Sequence, residues 1–584
     1  MRPPEAFATY FGTESAPLFG WFHGAGVSAG LGVVLCSPFG CEEISAHRSW
    51  RSLADKVSRA GFPALRFDLA CSGDSAGSML DDDVPAQWLA SVHAAVDELR
   101  RLSGVSRVVL VGLRSGAMLA WQAARERADV AALACVVPVL SGRAWLRELK
   151  ALEAAAQGDV MPSPEGMFES GGFAMSEAAR AHMSEIDLRK VDRFPSVPML
   201  LVDRSELPML ERWANDLATG GVPVQHRLVS GFTELMLAPH RAVVPESMWS
   251  ELLGWLSSLP AETVGVRQYA AALTRRSVEW NGVHEEVVDF PVPQGQLNAI
   301  VSTSATGLVS GHTLLLLNAG ATRRIGPSRI HVDLARQWAR LGHCVVRLDL
   351  SGLGDSAPLQ GRPDTVVYSP SAVQEVCSVV ELLRAQPGTV QVHLMGLCAG
   401  AYHGFKAAVK GARVDSVVAI NPLTFFWNEG MSLDAPLAAH KVVDDMNRYR
   451  KGLLDASRWR KLLAGGVDLT RLLAVLWHAE KAVVARPWRE LARVLHLPLR
   501  DDLAAELLGV TRRGVKLNFL IASGDPGETL LREQGGRAVD RLAREGALTI
   551  ERFEDADHVF TRHRARQSLA RALTRLFAAD AARR

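Results

Sequence analysis

A twelve-residue segment that occurs twice constrains this chain more than any other feature. Leu65-Arg-Phe-Asp-Leu-Ala-Cys-Ser-Gly-Asp-Ser-Ala76 aligns with Val346-Arg-Leu-Asp-Leu-Ser-Gly-Leu-Gly-Asp-Ser-Ala357 at a spacing of 281 residues (346 − 65), and seven of the twelve positions are identical. A second match pairs Val108-Val-Leu-Val-Gly-Leu-Arg-Ser-Gly116 with Val392-His-Leu-Met-Gly-Leu-Cys-Ala-Gly400. Each twelve-residue segment follows a helical stretch ending in glycine, Gly61 or Gly342, and a short apolar strand, as an αβ unit does. The two halves read as copies of one fold.

The length agrees. At 584 residues the chain exceeds what one hydrophobic core supports, and two domains of about 250–300 residues are the natural division. Val/Leu-rich runs at 32–37, 63–69, 107–113, 131–138 and 198–203, and again at 312–318, 344–350, 390–397, 414–420 and 515–522, alternate with helical patterns. Continuous apolar strands between helices predict a mostly parallel sheet covered on both faces, so each half is expected to be a doubly wound α/β domain. The expected boundaries are a first domain over 1–260, a linker over 261–282, and a second domain over 283–584 beginning with a hairpin near Val283. An insertion at about 422–514, rich in Leu, Trp, Arg and Lys at helical spacing, reads as a helical lid.

Charge and composition narrow the function classes. With 65 basic and 63 acidic residues the formal net charge is +2, so no global field recruits nucleic acid or an anionic membrane. The start of the chain lacks the apolar run of a secretory signal, and no stretch of about 18 apolar residues follows, which predicts a cytoplasmic protein without a membrane span. The seven cysteines are scattered without C-x-x-C pairs, which argues against a disulfide framework and against a zinc site. No phosphate loop of the G-x-x-x-x-G-K type is present, and no cofactor or metal is expected.

Chemistry concentrates at Gly396-Leu397-Cys398-Ala399-Gly400, which follows a predicted strand and precedes a predicted helix. Glycines flank the tip of such a turn because the backbone reverses sharply there, and the tip residue stands at the helix N-terminus, where an anion is favoured. Cys398 is therefore the candidate nucleophile. Downstream, Asp525 lies in Ser-Gly-Asp-Pro-Gly just past an apolar strand, and His558 lies in Glu554-Asp-Ala-Asp-His558 after the last one, the chain order nucleophile, acid, base. Asp555 and Asp557 compete for the acid role but share the short loop of His558. His343, His393 and His403 precede the final strand, and His563 falls in the terminal helix, which makes them weaker base candidates. Oxyanion donors are expected from the N–H of Ala399 and from the loop Asn318-Ala-Gly-Ala321, with Ala321 as the candidate there.

The first half lacks this set. The tip of Gly112-Leu-Arg-Ser-Gly116 is Arg114, which stays protonated and cannot attack a carbonyl. Ser115 is one position late, and His240 is displaced past Pro239. Arg114 is left with two readings, an anion-binding group or the partner of a structural acid.

On these residues both halves resemble the serine-aminopeptidase-like α/β-hydrolase superfamily over nearly the whole chain. Pro38-Phe-Gly-Cys-Glu42, His47-Arg48 and Leu65-Arg-Phe-Asp68 look like one type of exosortase-system-associated hydrolase. Asn318-Ala-Gly320, Gly326-Pro-Ser-Arg329 and Leu350-Ser-Gly-Leu-Gly-Asp-Ser356 look like its companion type. The resemblance implies two tandem α/β-hydrolase domains, the second carrying a Cys398–His558–Asp525 triad. A cysteine at the elbow is also similar to dienelactone hydrolases, to Cys-type thioesterases and to aminoacyl transferases that serve carrier domains.

Thiolate attack on a thioester yields another thioester at little energetic cost, which suits onward transfer. The expected activity is Cys-dependent acyl transfer on a thioester or ester, with hydrolysis by the same triad as the alternative and a non-catalytic scaffold as the third reading. Lys441, Arg448, Arg450, Lys451, Arg458, Arg460 and Lys461 outnumber the acids near them, which suits either an acyl carrier protein or a solvated helix face.

Overall fold

The computed structural model describes residues 6–25, 30–157, 166–260, 273–293, 295–359, 361–428, 431, 493, 495 and 499–581. Most of the predicted lid, 432–492, lies outside the described residues; the described end of that insertion includes a helix over Leu503–Arg512.

In the N-terminal half the strands are β1 (Ala6–Thr13), β2 (Ala16–His23), β3 (Leu31–Cys36), β4 (Ala64–Phe67), β5 (Arg107–Leu113), β6 (Val130–Val136), the small hairpin β7 (Met167–Ser170) and β8 (Phe173–Ser176), β9 (Met199–Arg204) and β10 (Val224–Val229). Those of the C-terminal half are β11 (Ser277–Trp280), β12 (Val283–Val292), β13 (Gly295–Ser304), β14 (His312–Leu317), β15 (Cys344–Leu348), β16 (Gln391–Leu397), β17 (Ser416–Ile420), β18 (Lys516–Ala522) and β19 (Leu548–Phe553). The first sheet runs β1-β2-β4-β3-β5-β6-β9-β10. The second runs β11-β12-β13-β15-β14-β16-β17-β18-β19, which, apart from the added β11, is the same permutation. The ten predicted strands all appear, whereas β11 falls inside the stretch expected to be linker and pairs antiparallel with β12, Trp280 opposite Val283.

Alternation along the central strands shows why the sheet must be covered twice. Val34, Cys36, Leu110 and Leu133 pack into one buried cluster with Trp88 and Trp121. Their neighbours Val33, Leu35, Val109, Val111 and Ala134 pack into another with Trp50 and Trp249. Both faces of each strand are apolar, so helices must lie on both sides. The architecture is α/β, with mostly parallel sheets.

The chain divides into two compact units, one made of Met1–Ser310, Ala321–Val366 and Thr561–His563, the other of Gly311–Gly320, Val367–Phe560 and Arg564–Arg584. This division does not follow the boundary at 260–283 expected from the sequence. Within the first unit, β12, β13, β15 and the loops around them are tied to residues of the N-terminal half by buried ion pairs, among them Arg324 with Asp74, 3.0 Å apart.

The two twelve-residue segments fold alike, both inside the first unit. Asp68 Oδ2 accepts the N–H of Asp74 at 2.8 Å, and Asp349 Oδ2 accepts that of Asp355 at 3.0 Å. Ser75 donates back to the Asp68 carbonyl and Ser356 to the Asp349 carbonyl, each at 2.7 Å.

Candidate active site

All three members of the predicted triad lie in the second unit. Cys398 joins β16 to the helix Ala399–Val409, with φ 58° and ψ −114°. That backbone region is rarely occupied by residues with a Cβ and stores strain of about 1–3 kcal/mol. The surroundings force it. A Cβ on Gly396 would sit 2.0 Å from the carbonyl carbon of Gly400, and one on Gly400 would sit 2.9 Å from the carbonyl oxygens of Leu317 and Asn318 at the end of β14. The helix thus starts tight against two strand ends, and Cys398 is held outward, its N–H bonded to the Ile420 carbonyl at 2.9 Å. Ala399, the first residue of the helix, has an N–H with no intrahelical acceptor. Ala321 follows β14 in a turn and belongs to the first unit.

Asp525 leaves β18 and caps the helix Pro526–Gly535, its Oδ1 accepting the N–H of Gly527 at 3.0 Å. Its other oxygen, Oδ2, accepts from His558 Nδ1 at 2.6 Å, and the carboxylate is buried at 2% exposure. His558 sits in the turn after β19 with a partly buried ring. Its Nε2 is buried and makes no hydrogen bond of ordinary geometry. Cys398 is nonetheless close enough to act on the imidazole. Burial opposes protonation of His558, but the bond to Asp525 and the neighbouring Cys398 outweigh it and push its pKa up to about 10.

A residue that sequence reasoning missed completes this corner. Asn421, directly after β17, is fully buried at φ 45°. Its Nδ2 donates to the carbonyl of His558 at 2.7 Å, and its Oδ1 accepts the N–H of Ala522 at 2.8 Å. It therefore ties the histidine loop to the end of the acid-bearing strand. Asparagine tolerates positive φ better than most residues, and an isolated Asn at a strand end was the only signal available.

An aromatic group flanks Cys398. Tyr368 stacks on Trp427 with ring centres 4.1 Å apart and meets Tyr402 edge-on at 5.1 Å. Burial, with the charges of Cys398 and Tyr402 beside it, pushes the Tyr368 phenol well above its usual range. His403 is buried in the same group, where desolvation lowers its pKa to about 4.

The weaker candidates are engaged elsewhere. His343 Nδ1 lies 2.6 Å from Ser310 Oγ, His393 bonds Ser416 and stacks on His312, and the backbone N–H of His563 donates to Glu169. Asp555 and Asp557 are exposed in the loop, and the carboxylate bonded to the His558 ring is Asp525.

Arg114 occupies the matching elbow of the N-terminal half, with φ 53° and ψ −118°. Its guanidinium is held by Glu42 at 2.6 Å and Glu148 at 2.7 Å, under the ring of Phe232. Of its two readings, the structure supplies the acids. Ser115 is buried and its Oγ accepts the N–H of Phe39 at 2.9 Å. Among the described residues no cluster of three or more metal-ligating side chains occurs, and no helix is long and apolar enough to cross a membrane.

Residues 314–572 match the model of the alpha/beta hydrolase family. That part of the chain is similar to the family and carries most of the second, mostly parallel sheet. No curated protein matches the chain. Among solved structures it is similar to a putative hydrolase from Agrobacterium vitis, at 16% identity over 44% of this chain and 99% of that one, TM-score 0.31. It is similar too to an esterase from Pyrococcus furiosus, at 17% identity over 44% of this chain and 92% of that one, TM-score 0.33. A third is the dienelactone hydrolase from Anabaena variabilis, at 12% identity over 51% of this chain and 98% of that one, TM-score 0.31.

Proposed function

We propose that the chain is a Cys-dependent acyl-transfer enzyme working through an acyl-Cys398 intermediate on a thioester or ester. The observation that carries the reading is the strained Cys398 at a helix N-terminus beside a His558 bonded to buried Asp525. An imidazole with a pKa of about 10 is protonated at neutral pH, and the raised value draws in part on Cys398 next to it. An imidazolium beside the sulfur, together with the helix N-terminus, is the setting in which a cysteine acts as nucleophile.

In the proposed cycle, Cys398 Sγ attacks the acyl carbonyl and the tetrahedral oxyanion is stabilised by the Ala399 N–H. His558 gives its proton to the departing thiol or alcohol, and Asp525 keeps the ring oriented. His558 then takes a proton from the acceptor, which attacks the acyl-Cys and frees the thiolate. An acyl carrier protein is the proposed partner, on the strength of the basic residues between Lys441 and Lys461, which lie outside the described residues.

Hydrolysis by the same triad is the second reading, favoured by the match to a hydrolase family. Intact-protein mass spectrometry after incubation with short acyl thioesters tests both, comparing wild type with Cys398→Ala. A wild-type adduct missing from the variant supports the acyl-Cys, and faster loss of that adduct to amines or thiols than to water selects transfer. No adduct and no Cys398-dependent turnover across ester and thioester panels would leave a non-catalytic scaffold.

A further inference from the structure

The folding of the two repeated segments is matched by how they meet. Arg66 Nη2 donates to Asp355 at 2.8 Å, while Arg347, its counterpart 281 residues on (347 − 66), pairs with Asp74, the counterpart of Asp355. The corresponding loop carbonyls are also bound from the opposite half, by arginines that are not themselves counterparts. Arg51 donates to the carbonyls of Gly354 and Ser356 at 2.6 and 3.2 Å, and Arg329 donates to those of Gly73 and Ser75 at 2.8 and 2.5 Å. Contacts in which i meets j′ and j meets i′ are those of an isologous, two-fold interface. All these residues lie in the first unit. Beside them Ala8, Tyr10 and Phe19 of the first hairpin share one buried apolar cluster with Val287 and Ile300 of the second.

We infer that this is the interface of a dimer folded into one chain. The partner that the face of Arg347 and Asp355 fits is a second α/β domain bearing the same Arg-x-Asp and Gly-Asp-Ser segment, and the N-terminal half serves as that partner. This gives the half with Arg114 at its elbow a role that needs no nucleophile. It also accounts for charge in the interior. The side chains of Asp74, Arg347 and Asp355 are wholly buried, and a buried ion left unpaired is strongly destabilising. Each half therefore neutralises charges that the other cannot leave alone, which favours one register over any other apposition.

Hydrogen–deuterium exchange on the full-length chain tests this by its symmetry. Asp74→Asn should speed exchange by about tenfold or more within 344–357, and Asp355→Asn should do the same within 64–76, each lesion read in the opposite half. Arg51→Ala provides a milder lesion at a partly exposed position should the aspartate variants not fold, with the faster exchange expected at 352–357. Changes confined to the half that carries the substitution would overturn the inference. None of these residues belongs to the Cys398 site, so the test stands whether or not acyl transfer does.

Discussion

Asp525 uses its two carboxylate oxygens for different purposes, one capping a helix through the Gly527 N–H and the other holding His558 Nδ1 at 2.6 Å. Its orientation is thus set by the helix before it meets the ring. Asp525→Asn keeps the cap through the side-chain carbonyl but presents an amide to the histidine, which stabilises the wrong tautomer. Acyl-Cys formation should fall by about a thousandfold or more, with the thermal midpoint little changed. Single-turnover kinetics with a thioester measures the first and calorimetry the second; an unaltered acylation rate removes Asp525 from the mechanism.

The raised pKa of His558 links stability to pH. Its ordinary value is 6.5 and its folded value about 10, so the folded state binds the proton more tightly than the unfolded one. The stabilisation is complete below about pH 6.5 and is lost as pH rises toward 10. Denaturation of wild type and His558→Gln should therefore show a gap that is widest near pH 6 and narrows by pH 9.5. Removing the Cys398 sulfur takes away one of the causes, so in Cys398→Ala an NMR titration should find His558 with a lower pKa than in wild type. A gap that widens with pH contradicts the arrangement.

Asn421 acts on His558 through its backbone and not through the ring. The corresponding place after β6 in the N-terminal half holds Val137, at φ 42° and with its N–H on the Val202 carbonyl as Asn421 has its own on Leu520. Asn421→Val is therefore a substitution the backbone accommodates. It frees the His558 carbonyl, and kcat should drop by about tenfold or more with KM nearly unchanged. Asn421→Asp, which still accepts from Ala522 but cannot donate to His558, should fall with it. Recovery of activity in the Asp variant would mean that the bond to Ala522 alone matters.

The parts of this site legible in the sequence are those fixed by local rules. Cys398 announces itself because Gly396 and Gly400 have no room for a Cβ, and Asp525 and His558 because each follows a strand in the expected chain order. What stayed hidden was assembled from distant segments. Tyr368, Tyr402 and Trp427 carry no shared pattern, and the first hairpin, β1 and β2, escaped notice because its polar alternation is weak. The arginines at 323, 324, 336 and 347 look like surface charge in a linear reading, yet all are buried, since their carboxylate partners come in large part from the N-terminal half. The compact units are likewise assembled from segments far apart in the sequence.

The backbone at the two elbows supplies a last prediction, independent of chemistry. Replacing glycine by alanine normally stabilises a chain by about 0.4–1 kcal/mol, because alanine has less freedom to lose. At φ 58°, ψ −114° the order should reverse, since the Cβ itself carries the strain and only glycine is free of it. Cys398→Gly should therefore be more stable than Cys398→Ala by about 1 kcal/mol, both variants lacking the thiolate and differing only in that carbon. Arg114, at φ 53°, ψ −118°, should behave in the same way. Arg114→Gly and Arg114→Ala both abandon Glu42 and Glu148, so both lose stability against wild type, but the glycine variant should lose about 1 kcal/mol less. Urea denaturation of the four variants measures both differences; an alanine variant as stable as its glycine counterpart would place that elbow in ordinary backbone.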